Sequence, residues 1–503
     1  MPMKRILLLT ILAALLCLAI DGQAQTNDEP QTVANPILPG FNPDPSVCRV
    51  GDDYYLVTSS FAFYPGLPIY HSKDMVNWQL IGHAVDDNNI GKFHFRGIGD
   101  NDGLWAPTIR HNNGTFYISC TAWRSGGNFI ITANDPRGPW SEPVWVPEAS
   151  GIDPTLFFDD DGRSYYVGNR YDFKQAWRGQ VGIHIQGIDL SKTVEGTVRE
   201  KKTGLEFKAP TYRLKGENKI ISYGHASNAG YTEGPHIYKI GGRYYLLMAE
   251  GGSGAYHAVT VSQSKSLFGP YQPQQVNPVL THRHMGNRYP IQNIGHADII
   301  ETQRGEWYAI CLGNRMLPIP GNDDKPYACP LGRETWLTPI EFQGDQLIFA
   351  PGTGKVETTV RRPQLPWTPV AKKEEQWYTP LTMPNLRLKK LSSHRWHYER
   401  TVARKSDVKG IILFRTVNSY YLLEKNKKSI VLTKMEKGKS EIVAEVPCKD
   451  EENTLRIDAD GMHLRFCYDG KQIGSMQSFL PLCDDRTFNK FNGTGVGDVL
   501  SEE

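Results

Sequence analysis

The sequence predicts an all-β protein, a five-bladed β-propeller followed by a C-terminal β-sandwich. Three observations lead to this fold class: a strand–turn–strand pattern that recurs five times, a Pro-rich segment after the last copy, and a run of short strand-like segments beyond it. The predicted domains are a signal peptide at 1–24, the propeller at 30–351, a linker at 352–369 and the sandwich at 370–503.

Each copy of the repeat has an acidic or Pro-containing start, an apolar strand, a turn with Gly, Asp or Asn, and a second strand rich in Tyr. The copies begin at Asn42, Leu104, Gly151, Thr232 and Gly295. The alternative is a large β-sandwich whose segments are similar by accident. Because all five copies keep the same internal order, radial closure into five blades is favoured.

Acidic residues stand at the start of four of the five predicted blades. They are Asp44, Asp153, Glu233 and Asp298. In a propeller the first strand of each blade lines the central channel, so residues at blade starts converge at one mouth of that channel. The repeat geometry alone therefore predicts that these four carboxyl groups face one pocket.

The last third of the chain differs from the repeats. The Pro-rich stretch 352–369 is interpreted as a linker. Beyond it, seven short strand-like segments separated by turns are typical of an all-β sandwich. They carry no visible catalytic constellation, and their Lys-rich turns are interpreted as solvated surface.

The N-terminus has the pattern of a secretory signal peptide. Lys4 and Arg5 precede an apolar run at 6–20, and small residues at 22 and 24 suggest cleavage before Gln25. The alternative is a membrane anchor, but the run is shorter than the ~20 residues that a span needs. We therefore expect an exported protein, periplasmic or extracellular, with no stable membrane insertion.

Composition excludes several classes of function. A formal net charge of +2 provides no strong field towards nucleic acid, so no nucleic-acid partner is predicted. Of the eight Cys, Cys17 leaves with the signal peptide, and the seven that remain contain no CxxC pair. A disulfide scaffold or a zinc site is therefore not expected.

Four motifs, in this order, resemble those of glycoside hydrolase family 43. They are NPILPGFNPDPSV with GDDYYLVTSS, GIDPTLFFDDDG, TEGPHIYK and PLGRET, within about 35–349. The resemblance implies a five-bladed propeller, in agreement with the repeat count. It also implies three catalytic carboxyl groups: Asp44 as the general base, Glu233 as the general acid, and Asp153 as the residue that positions the acid and tunes its pKa.

The implied reaction explains why these residue types are needed. An inverting hydrolase protonates the leaving oxygen on one face of the sugar and activates water on the other, with the two carboxyl groups about 6.5–9.5 Å apart. The acid must stay protonated near neutral pH, and burial or a nearby like charge raises its pKa. Asp153 is the expected source of that charge. Each carboxyl group taken alone is also compatible with a turn-capping role.

Further site residues are implied by the resemblance. Arg333 is expected to contact sugar hydroxyls, although a surface ion pair is the alternative. Phe61 and Trp105 are expected to line the pocket, or else to belong to the propeller core. His296 matches a channel histidine that helps to hold a structural calcium in some members, largely through water. A hydrogen-bonded core histidine is equally compatible, since calcium prefers oxygen ligands.

The GRET motif and the sandwich resemble the exo-acting β-xylosidase and α-L-arabinofuranosidase branch of the family. The implied partner is a xylo- or arabino-oligosaccharide, no cofactor is required for the chemistry, and Phe491 is a candidate to close the pocket. Relatives usually continue past a KFNGTGVG-like strand, so the completeness of the sandwich is left open. The sequence ranks neither xylose against arabinose nor one oligomeric state against another.

Two alternatives of other kinds stay open. One is a retaining, fructosidase-like hydrolase on a similar propeller, although NPDPS matches the NDPNG motif of that class poorly. The other is a carbohydrate-binding propeller without catalysis, which would keep the aromatic residues but would not need acid, base and modulator together.

Overall fold

The computed structural model describes residues 30–225, 230–286, 288–319, 327–370, 375–403, 405–449, 451–483 and 493–501. Within these ranges the secondary structure is β-strand apart from two 3-10 turns, Ile90–Lys92 and Leu480–Cys483. They contain no helix long and apolar enough to span a membrane. The predicted signal peptide at 1–24 and Phe491 lie outside the described residues, and both stay predictions.

Five antiparallel sheets form blades 1 to 5, each starting at one copy of the sequence repeat. Blade 1 contains Ser46–Val50, Asp53–Val57, Gly66–Ser72 and Gln79–Val85. Blade 2 contains Gly103–Asn112, Thr115–Trp123, Gly127–Ala133 and Val144–Trp145. Blade 3 contains Thr155–Phe158, Ser164–Arg170, Gly182–Ile188 and Leu214–Ser222. Blade 4 contains Glu233–Ile240, Arg243–Glu250, Ala258–Ser264, Gln272–Pro273 and Leu280–Thr281. Blade 5 contains Ile291–Glu301, Trp307–Arg315, Arg333–Gln343 and Gln346–Phe349.

Each pair of neighbouring blades shares one hydrophobic cluster. The five clusters lie between blades 1 and 2, 2 and 3, 3 and 4, 4 and 5, and 5 and 1. In the closing cluster, Val47 and Tyr54 of blade 1 pack with Ile310 and Leu337 of blade 5. Because each blade packs on both neighbours, strands such as Ser164–Arg170 are buried on both faces. The closed ring confirms the prediction of a five-bladed propeller.

The first described residues pair with strands of and after blade 5 before the chain enters blade 1. Strand Thr32–Ala34 pairs with Thr359–Arg361, and Leu38 bridges Thr335 in blade 5. The side chain of Asn35 donates to the carbonyl oxygen of Leu337 at 2.9 Å. Part of the stretch predicted as a linker is therefore a strand that packs on the propeller. The predicted domain boundaries themselves stay predictions.

A hairpin that the sequence did not indicate extends blade 2. Its strands, Val194–Arg199 and Glu206–Thr211, leave blade 3 between its third and fourth strands. They add to blade 2 through a parallel pairing of Trp145 with Thr211. The hairpin widens blade 2 at its outer edge, away from the channel.

The C-terminal part is a sandwich of two sheets, as predicted. The first sheet contains, in spatial order, Leu386–Lys390, Gly495–Leu500, Val408–Thr416, Ser419–Lys425, Ser429–Glu436 and Lys439–Pro447. The second contains Arg395–Val402, Asn453–Asp460, His463–Tyr468, Lys471–Gln472 and Gln477–Ser478. Side chains of both sheets form one core. Strand Gly495–Leu500 lies in the interior of its sheet, bonded on both sides.

The sandwich packs on the mouth of the propeller along blades 1, 2 and 5. Phe63–Tyr64 pairs with Thr379–Pro380. A short ribbon within blade 5 pairs Leu317–Pro318 with Tyr327–Ala328, and its Ala328 packs in the core of the sandwich. Asp100, just before blade 2, accepts the backbone N–H of Val417 at 3.1 Å. A Cβ on Gly40 would lie 2.3 Å from the carbonyl oxygen of Leu391, so only glycine permits this approach.

Candidate active site

One residue near the mouth end of each inner strand has a left-handed backbone conformation. It lies just before the strand in blades 1 and 3 and within the strand in blades 2, 4 and 5. Its φ is 51° at Asp44, 43° at Ala106, 55° at Asp153, 55° at Gly234 and 49° at His296. Four of these five are not glycine, and each non-glycine residue in this region costs on the order of 1 kcal/mol. We call this the blade-start position. In blades 2, 4 and 5 it lies within a β-bulge, a feature that redirects side chains beside active sites.

The prediction that Asp298 faces the pocket was wrong. His296 occupies the blade-start position of blade 5, and Asp298 lies two residues deeper along the same strand. There its carboxylate accepts hydrogen bonds from Ser46 Oγ at 2.6 Å and Arg110 Nη1 at 2.9 Å, and another from the hydroxyl of Tyr238. The alignment of the five sequence repeats matched Asp298 with Asp44 and Asp153. In the structure, His296 is the residue of blade 5 that shares their left-handed backbone conformation.

A cavity of about 270 Å³ opens at the mouth where the blade starts converge. Pockets that hold drug-sized ligands begin at roughly 300 Å³, so this cavity suits a single sugar. Seven residues predicted from the sequence line it: Asp44, Phe61, Trp105, Asp153, Glu233, His296 and Arg333. Four more were not predicted: Asn101, Ala106, Ile152 and Ser253. Residues far apart in the chain are thus brought to one site. The remaining predicted residue, Phe491, lies outside the described residues.

Asp44 is buried and held in its ionised form. Arg333 Nη1 donates to Asp44 Oδ1 at 2.9 Å, and Ser59 Oγ donates to Oδ2 at 2.6 Å. Burial raises the pKa of Asp44, but the charges of Arg333 and His296 and the Ser59 hydrogen bond outweigh it, so the net pKa lies below its ordinary value. Among the described residues Arg333 Nε has no acceptor, which leaves one buried donor for a bound molecule.

Glu233 has the opposite electrostatic environment. The backbone N–H of the next residue, Gly234, donates to Asp153 Oδ2 at 3.1 Å, which places the Asp153 carboxyl close to that of Glu233. Burial first, and then the charge of Asp153, raise the pKa of Glu233 to about 8. Asp153 is itself positioned, since its backbone N–H donates to Thr121 Oγ1 at 3.2 Å. Glu233 is therefore protonated at neutral pH while Asp44 is ionised.

His296 supplies the second cation of the cavity. Its Nε2 lies 3.5 Å from Asp153 Oδ2. Although burial lowers its pKa, the nearby carboxyl groups of Asp153, Asp44 and Glu233 raise it to a net value of about 9. Two cations, Arg333 and His296, then face three carboxyl groups. If one of the three carboxyl groups is protonated, the two remaining negative charges balance the two positive charges. The raised pKa of Glu233 makes it the protonated group.

The acidic and imidazole side chains of the cavity do not by themselves form a direct calcium-binding set. Within the described ranges, no group of three or more His, Cys, Asp or Glu side chains is placed to share a metal ion. In the part of the chain that the structure describes, the carboxylate at ion-pair distance from His296 is that of Asp153, at 3.5 Å. A protonated imidazole has no lone pair for a metal, so the raised pKa of His296 also opposes direct ligation.

Aromatic side chains form one wall of the cavity. The rings of Phe61 and Trp105 have centroids 5.8 Å apart, and Trp105 stacks on Trp123 at 4.8 Å. The guanidinium of Arg333 lies 5.1 Å from the centre of the Phe61 ring. An apolar wall beside fixed polar groups is suited to a sugar, which has apolar ring faces and hydroxyl edges. Phe61 and Trp105 are thus pocket residues as well as packing residues.

Ser253 was the least foreseeable lining residue. It lies in the glycine-rich loop GGSGAY, which follows the second strand of blade 4. Second strands run back towards the mouth because they are antiparallel to the first. A search of the segments after each second strand, where Phe61 also lies in blade 1, would have indicated this loop.

Comparisons with known proteins agree with this geometry. A sequence profile of Glycosyl hydrolases family 43 matches residues 33–348. The chain is 42% identical over 330 residues to a xylosidase/arabinosidase of Butyrivibrio fibrisolvens. It is 40% identical over 341 residues to a non-reducing end alpha-L-arabinofuranosidase of Bacteroides ovatus. These alignments cover 65% and 67% of this chain but 58% and 56% of the relatives. The chain thus spans less than two thirds of the length of the curated relatives it matches.

The similarity to solved structures extends over the sandwich as well. The structure of a xylan beta-1,4-xylosidase from Bacillus halodurans superposes with a TM-score of 0.79 at 28% identity. That alignment covers 93% of this chain and 96% of the other. The propeller and the sandwich are therefore shared as one arrangement.

Proposed function

The chain belongs to glycosyl hydrolase family 43, and on that premise we propose that it is an inverting exo-glycosidase that releases terminal xylose or arabinose from plant polysaccharide or oligosaccharides. One observation carries the proposal: a protonated Glu233 and an ionised Asp44 line one cavity of about 270 Å³. The names of the relatives, a xylosidase/arabinosidase and an arabinofuranosidase, support the choice of sugars.

The proposed reaction is a single displacement. Glu233 gives its proton to the glycosidic oxygen as the bond from that oxygen to the anomeric carbon breaks. Asp44 takes a proton from a water molecule, whose oxygen bonds to the anomeric carbon from the opposite face. The products are the leaving-group alcohol and one sugar with inverted configuration. Asp44 then releases its proton to solvent and Glu233 takes one up, which restores both residues for the next turnover.

The other cavity residues have supporting roles in the proposal. Asp153 raises the pKa of Glu233 and fixes its position through the Gly234 N–H. Arg333 holds Asp44 ionised and offers Nε to a sugar hydroxyl. Phe61 and Trp105 stack on the ring of the bound sugar. Phe491 as a further contact stays a prediction. The described residue Gly493 packs against Phe41, whose ring centroid is 5.8 Å from that of Phe61.

Hydrolysis of nitrophenyl β-xyloside and nitrophenyl α-arabinofuranoside tests the activity directly. We expect release of nitrophenol from at least one of them by the parent protein. With a natural oligosaccharide, whose leaving group needs protonation, we expect at most residual activity from Glu233→Gln. Sugar binding without hydrolysis of any substrate would instead favour a non-catalytic carbohydrate-binding propeller.

Proton NMR of the first-formed sugar tests the stereochemistry. We expect the anomer of inverted configuration before mutarotation mixes the two forms. Retention would reject the single displacement and favour the fructosidase-like alternative.

Two further parts of the proposal concern the whole protein. Export is proposed from the signal-peptide pattern, and N-terminal sequencing of protein from the medium or periplasm would test it by a start at Gln25.

A structural calcium held through water near His296 also stays a proposal, and no step of the reaction uses it. Metal analysis of the purified protein, with thermal unfolding before and after chelation, would test it.

A further inference from the structure

One lysine of the sandwich reaches the segment that leads to the proposed base, Asp44. Lys390 is the last residue of the sandwich strand Leu386–Lys390, and its Nζ donates to Asn42 Oδ1 at 3.1 Å. The same ammonium group lies 4.8 Å from the centre of the Tyr378 ring. Asn42 is two residues before Asp44 in the chain. The sandwich therefore contributes a hydrogen bond beside the base through a residue that does not line the cavity.

Asn42 connects this lysine to the strands that hold the base. Its Oδ1 also accepts the hydroxyl of Tyr70 at 2.8 Å, so two donors, one from each domain, share this acceptor. Its backbone N–H donates to the carbonyl oxygen of Arg333 at 2.9 Å, and its carbonyl oxygen accepts Thr335 Oγ1 at 2.7 Å. The side chain of Arg333 in turn holds the carboxylate of Asp44. Asn42 is thus bonded to the strand that carries the arginine and lies next but one to the base.

Asp44 has a backbone conformation that its surroundings must maintain. Its φ of 51° lies in the left-handed region, which is unfavourable for a residue other than glycine. Contacts to the two preceding residues help to hold it. The N–H of Ser59 donates to the carbonyl oxygen of Pro43 at 3.0 Å, and Lys390 donates to Asn42. A catalytic group displaced by about 1 Å can lose about a hundredfold in rate, so this restraint matters for the reaction.

Stability alone does not explain a lysine at this position. Within the described residues no carboxylate lies at ion-pair distance from Lys390, whereas the neighbouring Lys389 pairs with Glu375 at 2.5 Å. Burial without a counter-ion lowers the pKa of Lys390 to about 7, and its charge also opposes protonation of His83 in blade 1. An apolar side chain of similar length would avoid this cost of burial. The hydrogen bond to Asn42 is what the ammonium group adds.

We propose that Lys390 is a positioning residue for the general base, and that it acts through Asn42 to fix the place of Asp44 opposite Glu233. The inference rests on the proposed function, because it takes Asp44 as the base. Since Lys390 acts on the base and does not touch the sugar, its loss should lower kcat and leave KM near the parent value. Water must be activated whatever the leaving group is, so the loss should be similar for good and poor leaving groups.

The variant Lys390→Met tests the inference, with Lys389→Met as the matched control. Methionine keeps the apolar stem of the side chain and removes the ammonium group. Lys389 precedes Lys390 in the same strand but contacts Glu375 and Trp377 instead of Asn42. We expect kcat for a nitrophenyl glycoside to fall about tenfold in Lys390→Met, with KM within twofold of the parent. Both constants should stay at the parent values in Lys389→Met.

A double-mutant cycle distinguishes positioning through Asn42 from a general effect on the sandwich. Asn42→Ala alone should also lower kcat, and Lys390→Met should cause no further loss in that background. Additive losses would overturn the inference, because Lys390 would then act by another route. An unchanged kcat in Lys390→Met would overturn it as well, and so would an equal loss in Lys389→Met.

Crystal structures of the parent and of both lysine variants test the inference without any assay of activity. If the parent hydrolyses none of the substrates, the proposed function fails and these structures decide the inference separately, as they do if Asn42→Ala does not fold. A shift of the Asp44 carboxylate by about 0.5 Å or more in Lys390→Met, but not in Lys389→Met, would support it. Coincident positions in all three would reject it.

Discussion

Two buried aspartate–arginine pairs lie near the channel of the propeller, one at the cavity and one deeper, and they differ in what surrounds them. The pocket pair is Asp44 with Arg333, and the channel pair is Asp298 with Arg110, each with an N···O distance of 2.9 Å. The channel pair has further partners in Ser46, Tyr238 and the backbone N–H of Val47. The pocket pair faces a cavity, and Arg333 keeps an unused donor among the described residues.

The difference shows that the ion pair itself does not define a functional site. Asp298 has a pKa well below its usual range because Arg110 and the surrounding donors outweigh the effect of burial. Its carboxylate is fully occupied and stays ionised without access to a ligand. Asp44 is ionised for a similar reason but lies beside a neutral acid, Glu233, in a cavity of the size of one sugar. The catalytic pair differs from the structural pair because it keeps a hydrogen-bond donor without an acceptor beside a cavity.

The largest effect is expected when the pocket pair loses its carboxylate. Asp44→Asn removes the base that accepts the proton of water, so kcat should fall by about a thousandfold or more. The melting temperature should change little, since water in the cavity can solvate Arg333. Steady-state kinetics on an aryl glycoside with thermal unfolding of the same sample measures both. Activity within tenfold of the parent would remove Asp44 from the reaction.

The same change in the channel pair should have the reverse outcome. Asp298→Asn leaves the Arg110 charge buried without its counter-ion, which costs about 3 kcal/mol or more in the free energy of unfolding. The folded fraction should keep kcat within a few-fold of the parent, because Asp298 does not line the cavity. Denaturant unfolding with active-site titration of the folded fraction would measure this. Unchanged stability with lost activity would mean that the two pairs have been assigned the wrong way round.

A smaller effect is expected from Glu233→Ala, and it depends on the substrate. A leaving group that needs protonation should lose about a hundredfold or more in kcat, whereas a dinitrophenyl leaving group should lose much less. The measurement is kcat for a series of aryl glycosides of increasing leaving-group pKa. Equal losses across the series would contradict the role of Glu233 as the acid.

The smallest effect is expected in the pH profile. Because the acid works protonated, kcat/KM should fall as pH rises through the raised pKa of Glu233, about 8. Asp153→Asn removes a charge that helps to raise this pKa, so the alkaline limb should move to lower pH. Asp135→Asn, at an exposed site of blade 2, is the charge-matched control and should leave the limb in place. An alkaline limb at the same pH in Asp153→Asn would show that Asp153 does not tune the acid.

The repeat made the blades predictable from sequence, because strand alternation and turn residues are local properties. The five starts at Asn42, Leu104, Gly151, Thr232 and Gly295 each lie within a few residues of the beginning of a blade's inner strand. The hairpin Val194–Thr211 was not predicted, since its pairing with Trp145 joins segments that are distant in sequence.

Within the site, residue type was a less reliable guide than backbone position. Asp298 was placed in the pocket because it is acidic, but His296 has the left-handed conformation that marks the blade start. Ser253 was missed because a glycine-rich loop has no periodic pattern. Asp44, Asp153 and Glu233 were placed at one mouth because their motifs repeat the same local order, and the structure brings them to one cavity.

The protonation state of Glu233 tests the account most directly. Proteins labelled with ¹³C at the glutamate carboxyl carbon, as parent and as Glu233→Gln, would be titrated by NMR to identify the signal lost in the variant. The account predicts that this signal belongs to a carboxyl group that is protonated at pH 7 and titrates near pH 8. A signal that titrates near the ordinary glutamate value of 4.5 would contradict it.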